Sequence, residues 1–305
     1  METLRQEILI VGAGMAGLSA ARKLAEVGAR VTVIEARSRI GGRIYSERNG
    51  AEVVELGAQF VHGRPPELWN LIDEAGLATY ELDGEELCWE DRRLSACGGA
   101  LADDFKCIEA LKDRQNTDCS FAQYMDQENV PEQSRNRLVR FVEGFNAADH
   151  TVIGVASLGK QQAAEDAIRG DRMLQVRGGY RQIPDYLAKR FRDAGGRLLL
   201  SARVTAVRWR SGHVEIDCAQ GGRPFTVEAS KAIVTLPLGV LQNGDVHFDP
   251  EPTNVINAAD RMRMGQVHRV VMLFRQRFWT DLNESIISNQ TLSFLYAFAK
   301  IPPVW

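Results

Sequence analysis

Apolar positions at the head of this chain follow a strand–turn–helix–strand rhythm. Ile8-Leu9-Ile10-Val11 is an unbroken apolar run, as a buried strand requires. Gly12-Ala13-Gly14-Met15-Ala16-Gly17 interrupts it, and residues 18–25 open as a helix. A second strand over 30–34 ends in Glu35. Pro65-Pro66 then starts a helix with Leu68, Leu71, Ile72 and Ala75 at helical spacing, stopped at Gly76. From about 81 to 170 the pattern turns helical, over 101–111, 121–125, 135–142 and 158–168. The stripe Arg137, Leu138, Phe141, Val142 and Phe145 is core packing in its simplest reading. Residues 183–194 form an amphipathic helix closed by Gly195-Gly196. Strands follow over 198–200 and 204–209, and 214–218 alternates before a Gly221-Gly222 hairpin turn into 225–227. Ala232 to Leu236 is short, apolar and β-branched, like a buried parallel strand. The spacing predicts a helix over 254–264 and strands over 267–274 and 292–298.

This order predicts an α/β architecture in two interleaved domains. Residues 1–80 and 171–240 form one discontinuous domain, and 81–170 with 241–305 form the other.

Each glycine in the first turn has a mechanical task. Gly12 permits the tight turn, Gly14 lets backbone approach a pyrophosphate, and Gly17 lets the helix pack against the strand. The helix start offers free N–H groups and a positive dipole end. Glu35 is placed to accept hydrogen bonds from a ribose. A bare GxGxxG is weak, and a glycine turn that binds nothing is the bland alternative. Here it follows a strand, opens a helix and precedes an acid at the right distance.

Ala36-Arg37-Ser38-Arg39-Ile40-Gly41-Gly42-Arg43 chooses between dinucleotides. Paired glycines beside an arginine give close backbone approach and a fixed positive charge, which suits the pyrophosphate of a longer buried cofactor. A basic surface loop is the alternative. Val53 to Gly63 reads as a short strand running into another glycine turn.

At this point the chain resembles the flavin-containing amine oxidases, which include monoamine oxidases, polyamine oxidases and flavin-dependent histone demethylases. The likeness rests on Gly12 to Gly17, Glu35-Ala36-Arg37, Gly41-Gly42-Arg43 and Glu55-Leu56-Gly57-Ala58-Gln59-Phe60-Val61-His62-Gly63. Arg177-Gly178-Gly179-Tyr180, Ser201 to Val207, Ile233 to Leu241 and Gly265 to Trp279 continue it in the family's order. The resemblance implies a Rossmann-like FAD-binding domain interleaved with an α+β substrate domain. It implies oxidation of an amine C–N bond to an imine, with hydride passing to the flavin and dioxygen reoxidising it. The flavin carries the chemistry, and the protein supplies positioning and electrostatics. Gly12, Gly14, Ala16 and Gly17 would hold the pyrophosphate, Glu35 the ribose with Arg37 beside it, and Gly42 and Arg43 the phosphate. Gly57, Ala58, Gln59 and Phe60 would line the flavin, and Val204 would meet the adenine through its backbone. His62 would sit near the reactive side, or be a structural histidine in a turn.

One position departs from the family. In Gly265-Gln266-Val267-His268-Arg269-Val270-Val271, Arg269 stands where a lysine is typical, one that holds a water near the flavin and is linked to oxygen reactivity. A permanently charged guanidinium cannot act as a base. Arg269 either tunes flavin reoxidation or points away into an ion pair.

Composition then removes alternatives. The 305 residues are 45% hydrophobic and 25% charged with net charge −3, which is ordinary globular material with no basic signature for nucleic acid. No apolar run reaches membrane-span length and no signal-peptide pattern is present, so the expected location is cytoplasmic with no membrane partner. Cys88, Cys97, Cys107, Cys119 and Cys218 form no CxxC pair, and free thiols are expected rather than disulfides or metal. No strained-turn nucleophile is seen, which argues against a hydrolase. Residues 301–305 stop without the further glycine-rich segment of the family, so a fragment with weak flavin retention is expected. Two competitors remain: a related flavoenzyme acting on C–C bonds, of the desaturase or protoporphyrinogen oxidase type, and a non-catalytic flavin-binding protein.

Overall fold

A computed structural model describes residues 3–50, 52–82, 87–90, 93–96, 104, 106–114, 119–265, 267 and 269–271. The strands in chain order are β1 (Thr3–Val11), β2 (Val31–Ile34), β3 (Ser46–Asn49), β4 (Glu52–Glu55), β5 (Val61–His62), β6 (Thr79–Glu81) and β7 (Leu87–Glu90). They continue as β8 (Arg93–Ala96), β9 (Met173–Val176), β10 (Arg197–Leu199), β11 (Ala202–Arg210), β12 (His213–Gln220), β13 (Arg223–Val234) and β14 (His247–Asp249). Two compact units emerge: one within 1–60, 67–79 and 175–264, the other within 61–66, 80–174 and 265–305.

The first unit is built on a seven-stranded sheet in the order β10-β2-β1-β13-β12-β11-β14. β10, β2, β1 and β13 run parallel, and β13, β12 and β11 form an antiparallel meander. Alternation along β1 explains its central place. Ile8 and Ile10 face one side with Leu18 and Ala21 of helix α1 (Met15–Glu26) and with Leu187 and Phe191 of the helix Gln182–Asp193. Leu9 and Val11 face the other side, with Ile34, Val207, Ile216 and Val227. Both faces are covered, so β1 is apolar without interruption from Ile8 to Val11. The helix Gln182–Asp193 buries Ile183, Leu187 and Phe191 at four-residue spacing. It ends at Asp193, Gly195 turns the chain at φ +84°, and a Cβ on Gly196 would stand 2.0 Å from the Phe191 ring, so the chain turns directly over that side chain.

The second unit is mainly helical among its described residues. The helices Phe121–Gln127, Glu132–Phe145 and Val155–Ile168 enclose Leu111, Phe121, Met125, Leu138, Val142 and Leu158. Leu138 and Val142 come from the stripe read as core. Ser120 and Gln123 form a reciprocal capping box on the first of these helices. β5, β9 and β6 make a three-stranded sheet, and β7 pairs with β8.

Several elements differ from the sequence expectation. Residues 225–227 and 232–236 are not two strands. One strand, β13, runs through Glu228, Ser230 and Lys231 because its hydrogen bonds to β12 and β1 continue across them. Its end is not buried either: Ile233 and Val234 are 36% and 39% exposed. The helix expected over 254–264 is Thr253–Asp260. Residues 267 and 269–271 carry no strand, and the rest of the expected 267–274 strand and the 292–298 strand lie outside the described residues. Residues 241–264 group with the first unit. Among the described residues, no helix is long and apolar enough to cross a membrane.

Cys107, Cys119 and Cys218 are free thiols, and burial, with a smaller push from Asp217, raises the Cys218 thiol to about 12. The side chains of Cys88 and Cys97 lie outside the described set.

Phe191→Ala is expected to cost about 3–5 kcal/mol, because it opens a cavity in a fully buried cluster. Val27→Ala, at a position 81% exposed, is expected to stay within about 0.5 kcal/mol. Urea denaturation of both variants checks the contrast.

Candidate functional site

The predicted turn lies at the carboxyl end of the parallel strands, where open α/β sheets place their ligands. Gly12 has φ +103°, and a Cβ there would meet Thr235 Oγ1 at 2.6 Å. The Thr235 hydroxyl donates to the Val11 carbonyl at 2.7 Å, fixing the end of β1 to the exit from β13. A Cβ on Gly17 would lie 1.9 Å from the Gly12 carbonyl oxygen, so only glycine lets α1 begin this close to the strand. Gly14 is the N-cap of α1 and supplies no side-chain cap, and the first turn of α1 contains no acidic residue. The helix start therefore keeps its donors and dipole for an anion.

Glu35 sits at the end of β2, with its carboxylate already engaged. The Ala13 amide donates to its Oε2 at 2.8 Å and the Arg37 amide to its Oε1 at 2.9 Å. An ionised carboxylate offers about four acceptor positions, so one per oxygen remains. The carboxylate is thereby aimed before any ligand arrives. Ser201, in the left-handed region, donates its amide to the Arg37 carbonyl, and the Ala202 amide donates to Glu35 O.

The paired glycines close the other side. The Gly41 amide donates to Ala13 O at 2.9 Å, which docks the loop on the first turn. Gly42, at φ +57°, faces Gly14 so closely that a Cβ on it would be 3.3 Å from the Gly14 Cα. Arg39 gathers the carbonyls of Ile40, Gly42 and Ile44 on one nitrogen and lies over the Tyr45 ring. Arg37 and Arg43 are exposed, and neither guanidinium has an ion-pair partner among the described residues. The loop thus carries two exposed arginines, and its Gly42 packs backbone against backbone on Gly14 at the uncapped start of α1. A free helix start with arginines on the neighbouring loop is chemistry that suits an anion.

Gly57 follows from the same loop, since a Cβ on it would be 2.1 Å from Arg43 O. Ala58 donates its amide to that same carbonyl at 3.1 Å. Gln59 and Phe60 are half-buried and Ala58 is exposed. Upstream, Glu55 accepts from the Tyr180 amide at 2.6 Å and from Ser46 Oγ at 2.5 Å, and Ser46 in turn accepts from the Arg181 amide. Burial raises the Tyr180 hydroxyl pKa, with the Glu55 charge adding to it. This lock ties the glycine-glycine-tyrosine turn to the β3–β4 hairpin. Val204 is buried on β11, where the register to β12 slips and leaves Thr205 opposite no residue. A bulge there re-aims the local backbone. Ala16 is exposed on the first turn of α1.

Two predicted residues belong to the second unit. His62 ends β5, its ring edge-on to Phe145 at 5.9 Å. Its turn is tightly held: a Cβ on Gly63 would be 2.2 Å from Ile168 O, and the Arg64 amide donates to that carbonyl at 2.6 Å. Arg269 is exposed in a segment without regular structure. Among the described residues one further grouping of potential metal ligands occurs, Glu143, Asp149 and His150. His150 Nδ1 and Glu143 are already hydrogen-bonded at 2.7 Å, which accounts for the pair as an anchor for the loop after the helix Glu132–Phe145.

Sequence reasoning left out three contributors: Arg39, Thr235 and the Glu55–Ser46 pair. The spacing of Arg39 from Gly41-Gly42 was a usable signal. The others act across gaps of 125 to 224 residues and leave no local trace.

The family described as flavin containing amine oxidoreductase matches residues 15–303. Probable polyamine oxidase 4 of Arabidopsis thaliana is 28% identical over 310 residues, covering 92% of this chain and 60% of that protein. Polyamine oxidase 2 of the same organism is also 28% identical, with 92% and 61% covered. The chain thus spans about three fifths of the length of these relatives. A putrescine oxidase variant from a cofactor-binding redesign superimposes with TM-score 0.72 at 24% identity, over 85% of this chain and 64% of that one. Cyclohexylamine oxidase from Brevibacterium oxydans gives 0.70 at 20%, over 84% and 63%. At these identities the structural matches establish the fold.

Gly17→Ala is expected to cost at least about 1–3 kcal/mol, because its Cβ meets backbone that cannot move aside. Gly239→Ala, in a helix with open space around it, is expected to stabilise by about 0.5–1 kcal/mol. Chemical denaturation of the pair tests whether the turn is as tight as described.

Proposed function

The chain belongs to the flavin containing amine oxidoreductase family, and from that premise we propose that it binds FAD and takes part in oxidising an amine C–N bond to an imine. The observation that carries this is the uncapped, acid-free start of α1 at Gly14, with the backbone of Gly42 packed beside it and no side chain on either glycine to cover the helix end. It suits a diphosphate, with Gly12, Gly14, Ala16, Gly17 and Gly42 supplying approach and Arg37 and Arg43 supplying charge. The remaining acceptor positions of Glu35 take ribose hydroxyls, and the backbone of Val204 beside the bulge takes the adenine. Gly57, Ala58, Gln59 and Phe60 border the isoalloxazine. These residues fit the cofactor because the cradle exists without it: its carbonyls and amides are already satisfied by Thr235, Glu35 and Arg39.

Bound there, FAD supplies a two-electron acceptor with dioxygen as terminal oxidant. The chain's own part is to bind, to orient and to set charge. Catalytic roles for His62 and Arg269 rest on the family resemblance. A guanidinium at 269 adds fixed positive charge and takes no proton. The named relatives act on polyamines, putrescine or cyclohexylamine, and we place the substrate in that broad class of aliphatic amines. A second reading, flavin binding without amine oxidation, is favoured by Arg269 alone.

Titration of the chain with FAD, followed by quenching of flavin fluorescence, is expected to show saturable one-to-one binding. Glu35→Gln is expected to weaken it by about tenfold, the scale of one lost charge-assisted hydrogen bond. Saturable binding of nicotinamide dinucleotides instead of FAD would refute the assignment. Anaerobic bleaching of bound flavin by putrescine, spermidine or cyclohexylamine supports the oxidase. Bound flavin that none of them bleaches favours the second reading.

A further inference from the structure

Arg39 is the one cation of the 36–43 run that turns inward. It is half-buried, whereas Arg37 and Arg43 are exposed. Its Nη1 lies 3.2 Å from Ile40 O, 3.0 Å from Gly42 O and 3.4 Å from Ile44 O. Its guanidinium carbon stands 4.2 Å from the centre of the Tyr45 ring. Burial, and then repulsion from Arg37, lower its pKa. A guanidinium stays charged regardless.

The loop needs such a residue for an electrostatic reason. Gly41 and Gly42 both have positive φ, at +95° and +57°, so the chain reverses sharply. Three carbonyls within five residues then converge on one point. Left alone, they would place negative dipoles beside the helix start proposed for a diphosphate, and the loop would lose its shape. A cation at their focus cancels the dipoles. A planar one also stacks on Tyr45, which a flexible ammonium does less well.

We infer that Arg39 is the positioning residue of the phosphate loop: it clamps residues 40–44 in the cofactor-receiving shape without touching the cofactor. This rests on the FAD-binding function proposed above. The gain is preorganisation, since ordering the loop is completed on folding rather than on binding.

The test uses the full chain with Arg39→Gln and Arg39→Lys. FAD affinity is read by flavin fluorescence, and amide hydrogen exchange is read without FAD over 40–45. For Arg39→Gln the dissociation constant is expected to rise by about 10–100-fold, the scale on which indirect supports of a binding group act. Exchange over 40–45 is expected to quicken while residues 182–193 stay as protected as before. Arg39→Lys, which keeps the charge but not the stacked plane, should fall between. A merely structural arginine would loosen both segments together, and that result overturns the inference. So does an Arg39→Gln protein that binds FAD as the parent does. Should the parent bind no FAD, the proposed function fails, but exchange still decides the clamp: selective quickening supports it and unchanged exchange overturns it. Should Arg39→Gln not fold, Arg39→Lys is judged by the same two readouts.

Discussion

A carbonyl oxygen and a missing side chain set the geometry of the first unit. Gly17 meets Gly12 O where a Cβ would be only 1.9 Å away, so α1 starts on top of the strand it follows. That proximity lets Leu18 and Ala21 reach Ile8 and Ile10 and bury one face of the sheet. It also brings Ala13 within range of the Gly41 amide and the Glu35 carboxylate. Were the helix displaced by a methyl group, both of those bonds would lengthen. Core packing and ligand geometry therefore depend on one approach of backbone to backbone.

Packing backbone this tightly creates an accounting problem, since every buried carbonyl and amide needs a partner. The chain solves it with side chains, some local and some drawn from distant sequence. Thr235 serves Val11, Glu35 serves two amides, Arg39 serves three carbonyls, and Glu55 with Ser46 serves the turn before the helix Gln182–Asp193. These charges are spent within the structure. Arg37 and Arg43 remain outside it, at the same loop, with no carboxylate on either guanidinium among the described residues. Inward charges build the cradle and outward charges are available to fill it.

This division explains what could be read from sequence. The glycine positions were legible because their spacing forms a compact local motif, even where the atom each makes room for lies far along the chain. The strand at 8–11 was legible because both its faces are buried, and the helix near 183–194 because one face is buried and the other exposed at helical period. The unity of β13 was not, since Glu228, Ser230 and Lys231 look like a break and hydrogen bonding ignores side-chain polarity. Its end at Ile233 and Val234 was misjudged as buried because apolar composition alone does not say what covers a face. Residues such as Glu55 were quoted only as part of a motif. Its partners Tyr180 and Arg181, reached directly and through Ser46, lie over a hundred positions away, and no periodicity links them.

The same logic separates the two halves of the proposed chemistry. On the proposed adenosine and phosphate side the first turn, Glu35 and the 40–44 loop are fixed by contacts the chain makes with itself, so their shape precedes any ligand. At His62 the backbone is equally constrained, by Gly63 against Ile168 and by the Arg64 amide, which fixes where the imidazole originates. At position 269 the resemblance would place a lysine, and the arginine found there carries a charge that does not titrate. A guanidinium acts through a field rather than a proton. The binding half proposed for this chain thus rests on glycine geometry that tolerates little change.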